Sequence, residues 1–394
     1  MVSKELQILI ESIKVVLLDG SKEHIENLSN DSSIDWDKVD KMLQYHRIRP
    51  VFYEAMRRIK IQNKVVESAG RFSKIQAIKN LNEIQESKRV LLLLKAASIP
   101  VVPYKGILFL EKLYQNNALR EIGDLDILVK PEDAVEAMKV LVADGYELAI
   151  ENEITDALLN EIIATFPSPE IGLDKTSALG MNVHIDFHWG INEYEEYNID
   201  ADNIFNNTEL GIYQKENLLI PDKFSIFKML LNHHGGRECW VRLKDFADLI
   251  AFKKSYPEIT EDTLISLAAE LKMKKIYNAS NSLLKVFFSA NNFRIKDLPD
   301  FDSLEKVVYL WEYSVHWDKV WPKIMVFRIY RRLQDEYLSW YAFIKSQIYF
   351  FSKVNFSENK RPFVLPKRFI FLNAISKLLG YLNSHYIQPI FKKK

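Results

Sequence analysis

One cysteine, Cys239, stands in 394 residues. That scarcity excludes an internal disulfide framework and a thiolate metal cage, and it fits a reducing, cytoplasmic setting. Runs of eighteen uncharged apolar residues are also missing, so no membrane span is expected. Neither sign of charge is in excess: Lys plus Arg and Asp plus Glu both total 53, so no global field directs the chain to nucleic acid or a membrane surface. Internal repeats and low-complexity segments are absent as well. The opening stretch MVSKELQILIESIKVVLL is interrupted at helical spacing by Glu5, Glu11 and Lys14, which makes it an amphipathic helix and not a secretory signal. What the chain does have is hydrophobic content of 48% and a length suited to two or three domains or subdomains.

The pattern divides the chain into three regions. Residues 1–95 are expected to be helical: Trp36, Val39, Met42 and Leu43 share one face, and Phe72, Ile75, Ile78 and Ile84 recur at similar intervals. Over residues 96–218, strands alternate with helices. Ile99 to Tyr104 reads as a short buried strand, with Lys105-Gly106 turning into a helix over Ile107 to Tyr114. A second strand runs from Asp124 to Val129, followed by a helix that starts near Pro131 and ends at Gly145. A polar, partly irregular stretch containing FPSPEIG leads to a third strand in MNVHIDFHWGI. Residues 219–394 return to helical periodicity.

The segment REIGDLDILVK places Asp124 and Asp126 one residue apart in an apolar run. Alternation puts both on one face of a strand, with Leu125, Ile127 and Val129 behind. His184, Asp186 and His188 share a face of the third strand in the same way. A solvated rim is the ordinary account of two aspartates at a strand end. If the strands are neighbours, however, three carboxylates converge. Two like charges 4 Å apart repel by about 4 kcal/mol at an effective dielectric of 20, so the trio needs a divalent cation or raised pKa values. Hard oxygen donors suit magnesium or manganese held together with substrate phosphates.

The segments PYKG, LREIGDLDILV and VHIDFHW together resemble the uncharacterised bacterial nucleotidyltransferases of the DNA polymerase beta superfamily. WDKVDKMLQYHRIRPVFYEAM and HHGGRECWVRLKDFADLIAF are similar to that family's flanking helical segments, so the likeness covers about residues 36–252. The resemblance implies an α+β fold, with a small mixed β-sheet core flanked by N-terminal and C-terminal helical regions. It implies a metal-dependent enzyme that moves a nucleoside monophosphate from a Mg2+- or Mn2+-bound NTP to an acceptor hydroxyl and releases pyrophosphate. Asp124, Asp126 and Asp186 correspond to the catalytic, metal-holding carboxylates. Lys105 and Gly106 occupy the phosphate-binding turn, where the superfamily usually carries Gly-Ser. Arg120 is expected to neutralise a phosphate or to pair with Asp124, His188 to orient a carboxylate or the acceptor, and His234 to line the site from a neighbouring helix. In RLKDFADLIAF, Arg242–Asp245 and Lys244–Asp248 have the spacing of ion pairs on a solvated face, and the resemblance raises Asp248 and Arg242 above that reading, with Arg242 as a nucleotide contact.

Other signals have plainer readings. His184, Asp186 and His188 are arranged like a metal triad, but two Asp-rich strands favour a hard cation over zinc. HHGGREC matches no zinc spacing, and Gly235-Gly236 reads as a helix terminator. Aromatics with arginines between Trp311 and Phe351, and a basic tail from Asn359, suit either core and solubilisation or contact with RNA and anionic surfaces. Two further functions remain open: a non-catalytic nucleotide-binding or interaction module, and a toxin-like nucleotidyltransferase acting on tRNA. The acceptor is a small molecule, a protein or RNA.

Overall fold

In the computed structural model, the residues described are 2–114, 116–148, 154–165, 169–177, 179–191, 197–289, 294–299, 301–313, 320–336, 341, 344 and 372. The N-terminal region is helical throughout: α1 (Lys4–Leu17), α2 (Lys22–Ser29), α3 (Trp36–His46), α4 (Arg49–Arg58) and the 33-residue α5 (Lys64–Ala96). Each of α1, α2, α3 and α5 is started by a Ser, Asp or Asn whose side chain accepts from the first-turn backbone. The apolar stripe of α3 is buried through Val39, Met42 and Leu43.

The centre is built on β1 (Val101–Pro103), α6 (Lys105–Leu113), β2 (Leu125–Val129), α7 (Ala134–Ala143), β3 (Glu147–Leu148), α8 (Asp156–Thr165), β4 (Glu170–Thr176) and β5 (Asn182–His188). Their five-stranded mixed sheet has the order β1-β2-β5-β4-β3, and only the β2–β5 pair is parallel. That pairing sets Asp126 directly beside Asp186 and Leu128 beside His188. The short α9 (Ala201–Phe205) and the hairpin β6 (Thr208–Tyr213)–β7 (Glu216–Pro221) complete the centre. Helices α10 (Lys223–Leu230), α11 (Leu243–Ser255), α12 (Glu261–Glu270), α13 (Lys274–Leu283), α14 (Phe301–Glu312) and α15 (Val320–Leu333) follow. No described helix is long and apolar enough to cross a membrane. Trp317, Trp340 and the lysines and arginines beyond Asn359 lie outside the described residues.

One strand that the sequence did not mark, Glu170–Thr176, emerges from the partly irregular stretch containing FPSPEIG and pairs along its length with β5. The β6–β7 hairpin escaped pattern reading because its turn residues, Gln214 and Lys215, adopt positive φ without the usual Gly or Asn. The largest inversion is in α5. Ile75, Ile78 and Leu81 point outward, whereas Ser73, Gln76, Asn80 and Glu83 are buried. The reason is the irregular segment between α6 and β2, whose backbone carbonyls need donors. Gln76 donates to the Ile122 carbonyl at 2.7 Å, Lys79 to that of Gly123 at 2.8 Å, and Asn80 to those of Asn117 and Arg120. From α4, Arg49 grips Glu121 of the same segment through Nε and Nη2 at 3.1 and 2.6 Å.

Glu83 is the one member of that polar face whose carboxylate oxygens are buried with no hydrogen-bond partner among the described residues. Burial pushes its pKa up to about 7, Asp124 and Glu86 add to the rise, and Lys79 and His184 oppose it. The folded protein therefore holds a proton that the unfolded chain releases near 4.5, so this group's contribution to stability falls as pH rises from 4.5 through 7. Glu83→Gln should raise stability at pH 8 by about 1–3 kcal/mol and change it little at pH 5, as read by urea denaturation at the two pH values. Equal effects at both would place the Glu83 charge elsewhere.

Candidate functional site

A cleft of about 210 Å³ opens over the start of β2 and the second half of β5. Asp124, Asp126 and Asp186 all line it, together with Lys105, Gly106 and Arg120. Asp126, Asp186 and His188 offer ligand atoms that lie within 4.8 Å of one another. The convergence follows from the parallel register: neighbouring residues on one face of paired strands cannot avoid each other.

Asp126 is the hub. Its Oδ2 accepts from the Gly106 backbone N–H at 3.0 Å, and its Oδ1 lies 3.1 Å from Lys105 Nζ and 3.3 Å from His188 Nε2. A Cβ on residue 106 would lie 2.8 Å from Oδ2, so glycine is what lets the turn approach this carboxylate. Lys105 holds φ at 38°, a left-handed conformation that costs a non-glycine residue about 1–2 kcal/mol. Burial would raise the Asp126 carboxyl, but the Lys105 ammonium and His188 overcome it and hold Asp126 well below the usual carboxylate range. Burial likewise works against the Lys105 charge, and Asp126 more than offsets it.

Asp124 differs. Burial and then the charges of Asp126 and Asp186 raise its pKa, with Arg47 and Lys105 pulling the other way. His188 bridges two carboxylates, since its Nδ1 also lies 3.3 Å from Glu170 Oε2 on β4. His184 sits between Asp186 and Asp174 at 3.2 and 2.9 Å, and its pKa is pushed up to about 9, chiefly by the bond to Asp186.

Arg120 pairs neither with Asp124 nor with open solvent. Its Nε and Nη2 make a two-pronged bond to Asp248 at 2.9 Å each, and Nη1 donates to the Gly106 carbonyl at 2.9 Å. Asp248 also accepts from Tyr114 at 2.7 Å and contacts His234 Nε2 at 2.9 Å, while His234 Nδ1 lies 3.1 Å from Asp245. The RLKDFADLIAF face is therefore not solvated, because Asp245 and Asp248 are 0% and 1% exposed. Arg242 contacts Glu238 at 3.3 Å and does not line the cleft. His234 is fully buried behind the wall, and its neighbour His233 lines the cleft instead. Gly235-Gly236 ends nothing, as the chain passes through both in a π-helical turn, Leu231–Arg237.

Sequence reasoning passed over Arg47, Glu170, Arg237, Glu238 and Lys244, all of which line the cleft. They come from α3, β4 and the helices after the sheet, and nothing local to any of them signals the meeting. The donor set fits a hard divalent cation, since two carboxylates and an imidazole lie within reach of one point. A model of a family described as an uncharacterised nucleotidyltransferase matches residues 32–289. Among curated proteins, none matches the chain.

Breaking a buried pair strands its partner's charge, whereas losing an exposed one costs little. Asp248→Asn should therefore destabilise the fold by about 3 kcal/mol, and Lys139→Gln, which frees only exposed Asp156 and Glu136, should leave its stability essentially unchanged. The denaturation midpoints of the two variants give the comparison.

Proposed function

The chain belongs to the uncharacterised nucleotidyltransferase family whose model spans residues 32–289, and from that premise we propose a metal-dependent transfer of a nucleoside monophosphate from an NTP to an acceptor hydroxyl. The observation that carries this reading is the convergence of Asp126, Asp186 and His188 beside a glycine-bearing turn, with both carboxylates lining one cleft. Asp124, Asp126 and Asp186 would hold Mg2+ or Mn2+. When bound, such an ion neutralises charge on the phosphates and lowers the pKa of the attacking hydroxyl.

The chain's own groups supply the positioning. The acceptor oxygen attacks the α-phosphorus, the bond to the β-phosphate's bridging oxygen breaks, and pyrophosphate leaves. Asp186, whose side chain is 29% exposed, receives the hydroxyl proton at an Oδ. Lys105 presents its ammonium where negative charge grows on the phosphates. His188, fixed between Asp126 and Glu170, keeps the Asp126 carboxylate oriented. Arg120 acts as a positioning residue by holding the Gly106 carbonyl against the Asp248 network. Preset charges of this kind supply most of the acceleration in phosphoryl transfer. We place the protein in the polymerase beta superfamily and in the cytoplasm, with a small molecule, a protein or an RNA such as tRNA as acceptor.

One observation favours a second reading, a non-catalytic nucleotide-binding module: Lys105 Nζ already stands 3.1 Å from Asp126 Oδ1, where a metal would compete with it. Transfer of α-labelled phosphate from each NTP into small-molecule, protein and RNA fractions separates the readings. The wild-type chain should label one fraction, and Asp124→Asn/Asp126→Asn should lower that rate by about 10³ or more. Equal labelling by the double variant would remove the carboxylates from the mechanism, and magnesium-independent NTP binding without labelling would favour the module.

A further inference from the structure

The cations around the cleft are unequally committed. Lys105 is engaged by Asp126, Arg120 by Asp248 and Arg237 by Glu170. Arg47 and Lys244 line the same cleft, and among the described residues neither makes an ion pair. They reach it from segments far apart in the sequence, Arg47 from the residue capping α3 and Lys244 from the first turn of α11.

Their meeting is built in. His46, completely buried, contacts the Trp311 carbonyl through Nε2 at 3.2 Å and accepts from the Leu243 backbone N–H at Nδ1, 3.1 Å away. That imidazole pins the end of α3 to the start of α11, and the next residue on each side is one of the two cations. Arg47 then takes a left-handed conformation, φ 53° and ψ 46°, which is strained for a residue with a Cβ. Its guanidinium lies against Gly123, where a Cβ would sit 3.2 Å from Nη2.

Lys244 is placed at a cost. Burial lowers its pKa, the neighbouring Glu238 and Asp245 raise it, and Arg47 and Arg120 lower it again, with a net fall. Its position in the first turn of a helix also sets its charge against the helix dipole. A polyanion in the cleft would relieve all of these at once.

We propose that Arg47 and Lys244 form a grip for the terminal phosphates of the nucleotide, and for the pyrophosphate that leaves, in the cleft that the carboxylates line. The inference rests on the nucleotidyltransferase reading for its ligand, though not for the anion site itself. Arg47 offers a planar fork and Lys244 a point charge, a combination suited to a branched polyphosphate. The grip joins the N-terminal and C-terminal helical regions over the sheet, so the nucleotide's tail ties them together.

Isothermal titration of the full chain with inorganic tripolyphosphate, free of metal and nucleoside, tests the grip. The wild type should bind it, Arg47→Gln and Lys244→Gln should each weaken binding at least about tenfold, Lys244→Arg should keep most of it, and exposed Lys139→Gln should change nothing. A wild type that does not bind tripolyphosphate, or an Arg47→Gln/Lys244→Gln double variant that binds it as well as the wild type, overturns the proposal. If Lys244→Gln unfolds, Lys244→Arg and Arg47→Gln carry the comparison. Tripolyphosphate held by Arg47 and Lys244 in a chain that labels no acceptor from any NTP would sink the nucleotidyl-transfer reading and leave the anion site standing.

Discussion

The contact on which the rest depends is the one between Asp126 and the Lys105-Gly106 turn. It joins β2 to the start of α6 through an ammonium–carboxylate contact and a backbone N–H donated to the same side chain. Both ionic groups are more than nine-tenths buried. Buried pairs of this kind add little net stability but are costly to break, so they act mainly to hold one geometry. Here the geometry is a strained lysine and a glycine drawn up against the carboxylate, with His188 completing the shell from β5.

Around that hub, each layer has a definite duty. The β2–β5 register supplies Asp186 and His188. Polar side chains of α5 satisfy the carbonyls of the segment that carries Arg120 to Asp124, which turns a nominally apolar helix face outward. The Asp245–His234–Asp248–Arg120 chain then braces the Gly106 carbonyl from the C-terminal helices. Arg120 and Asp248 are held charged because each is the other's compensation for burial. The site's polarity is thus split: committed charges fix the scaffold, Asp186 is held, among the described residues, only by half-buried His184, and Asp124, Arg47 and Lys244 remain for a ligand.

Internal cations answer part of the question raised by two aspartates in an apolar run. Lys105 neutralises Asp126, so the strand folds without an external ion. It does nothing comparable for Asp124, whose pKa is raised by burial and then by the charges of Asp126 and Asp186.

The sequence by itself determined the strand alternation that puts Asp124 with Asp126 and His184, Asp186 and His188 on single faces, together with the helical character of the two flanking regions. Those are consequences of periodicity within one segment, which side-chain alternation makes legible. Only the tertiary structure decided which strands are neighbours, that Arg120 answers Asp248 across 128 positions, and that Ile75 and Ile78 face outward while Gln76 and Asn80 face in. It also decided that Arg47 and Lys244 stand together. Such choices depend on which distant backbone groups need a partner and which charges must be compensated, and neither need is written in the local pattern of the residues that meet it.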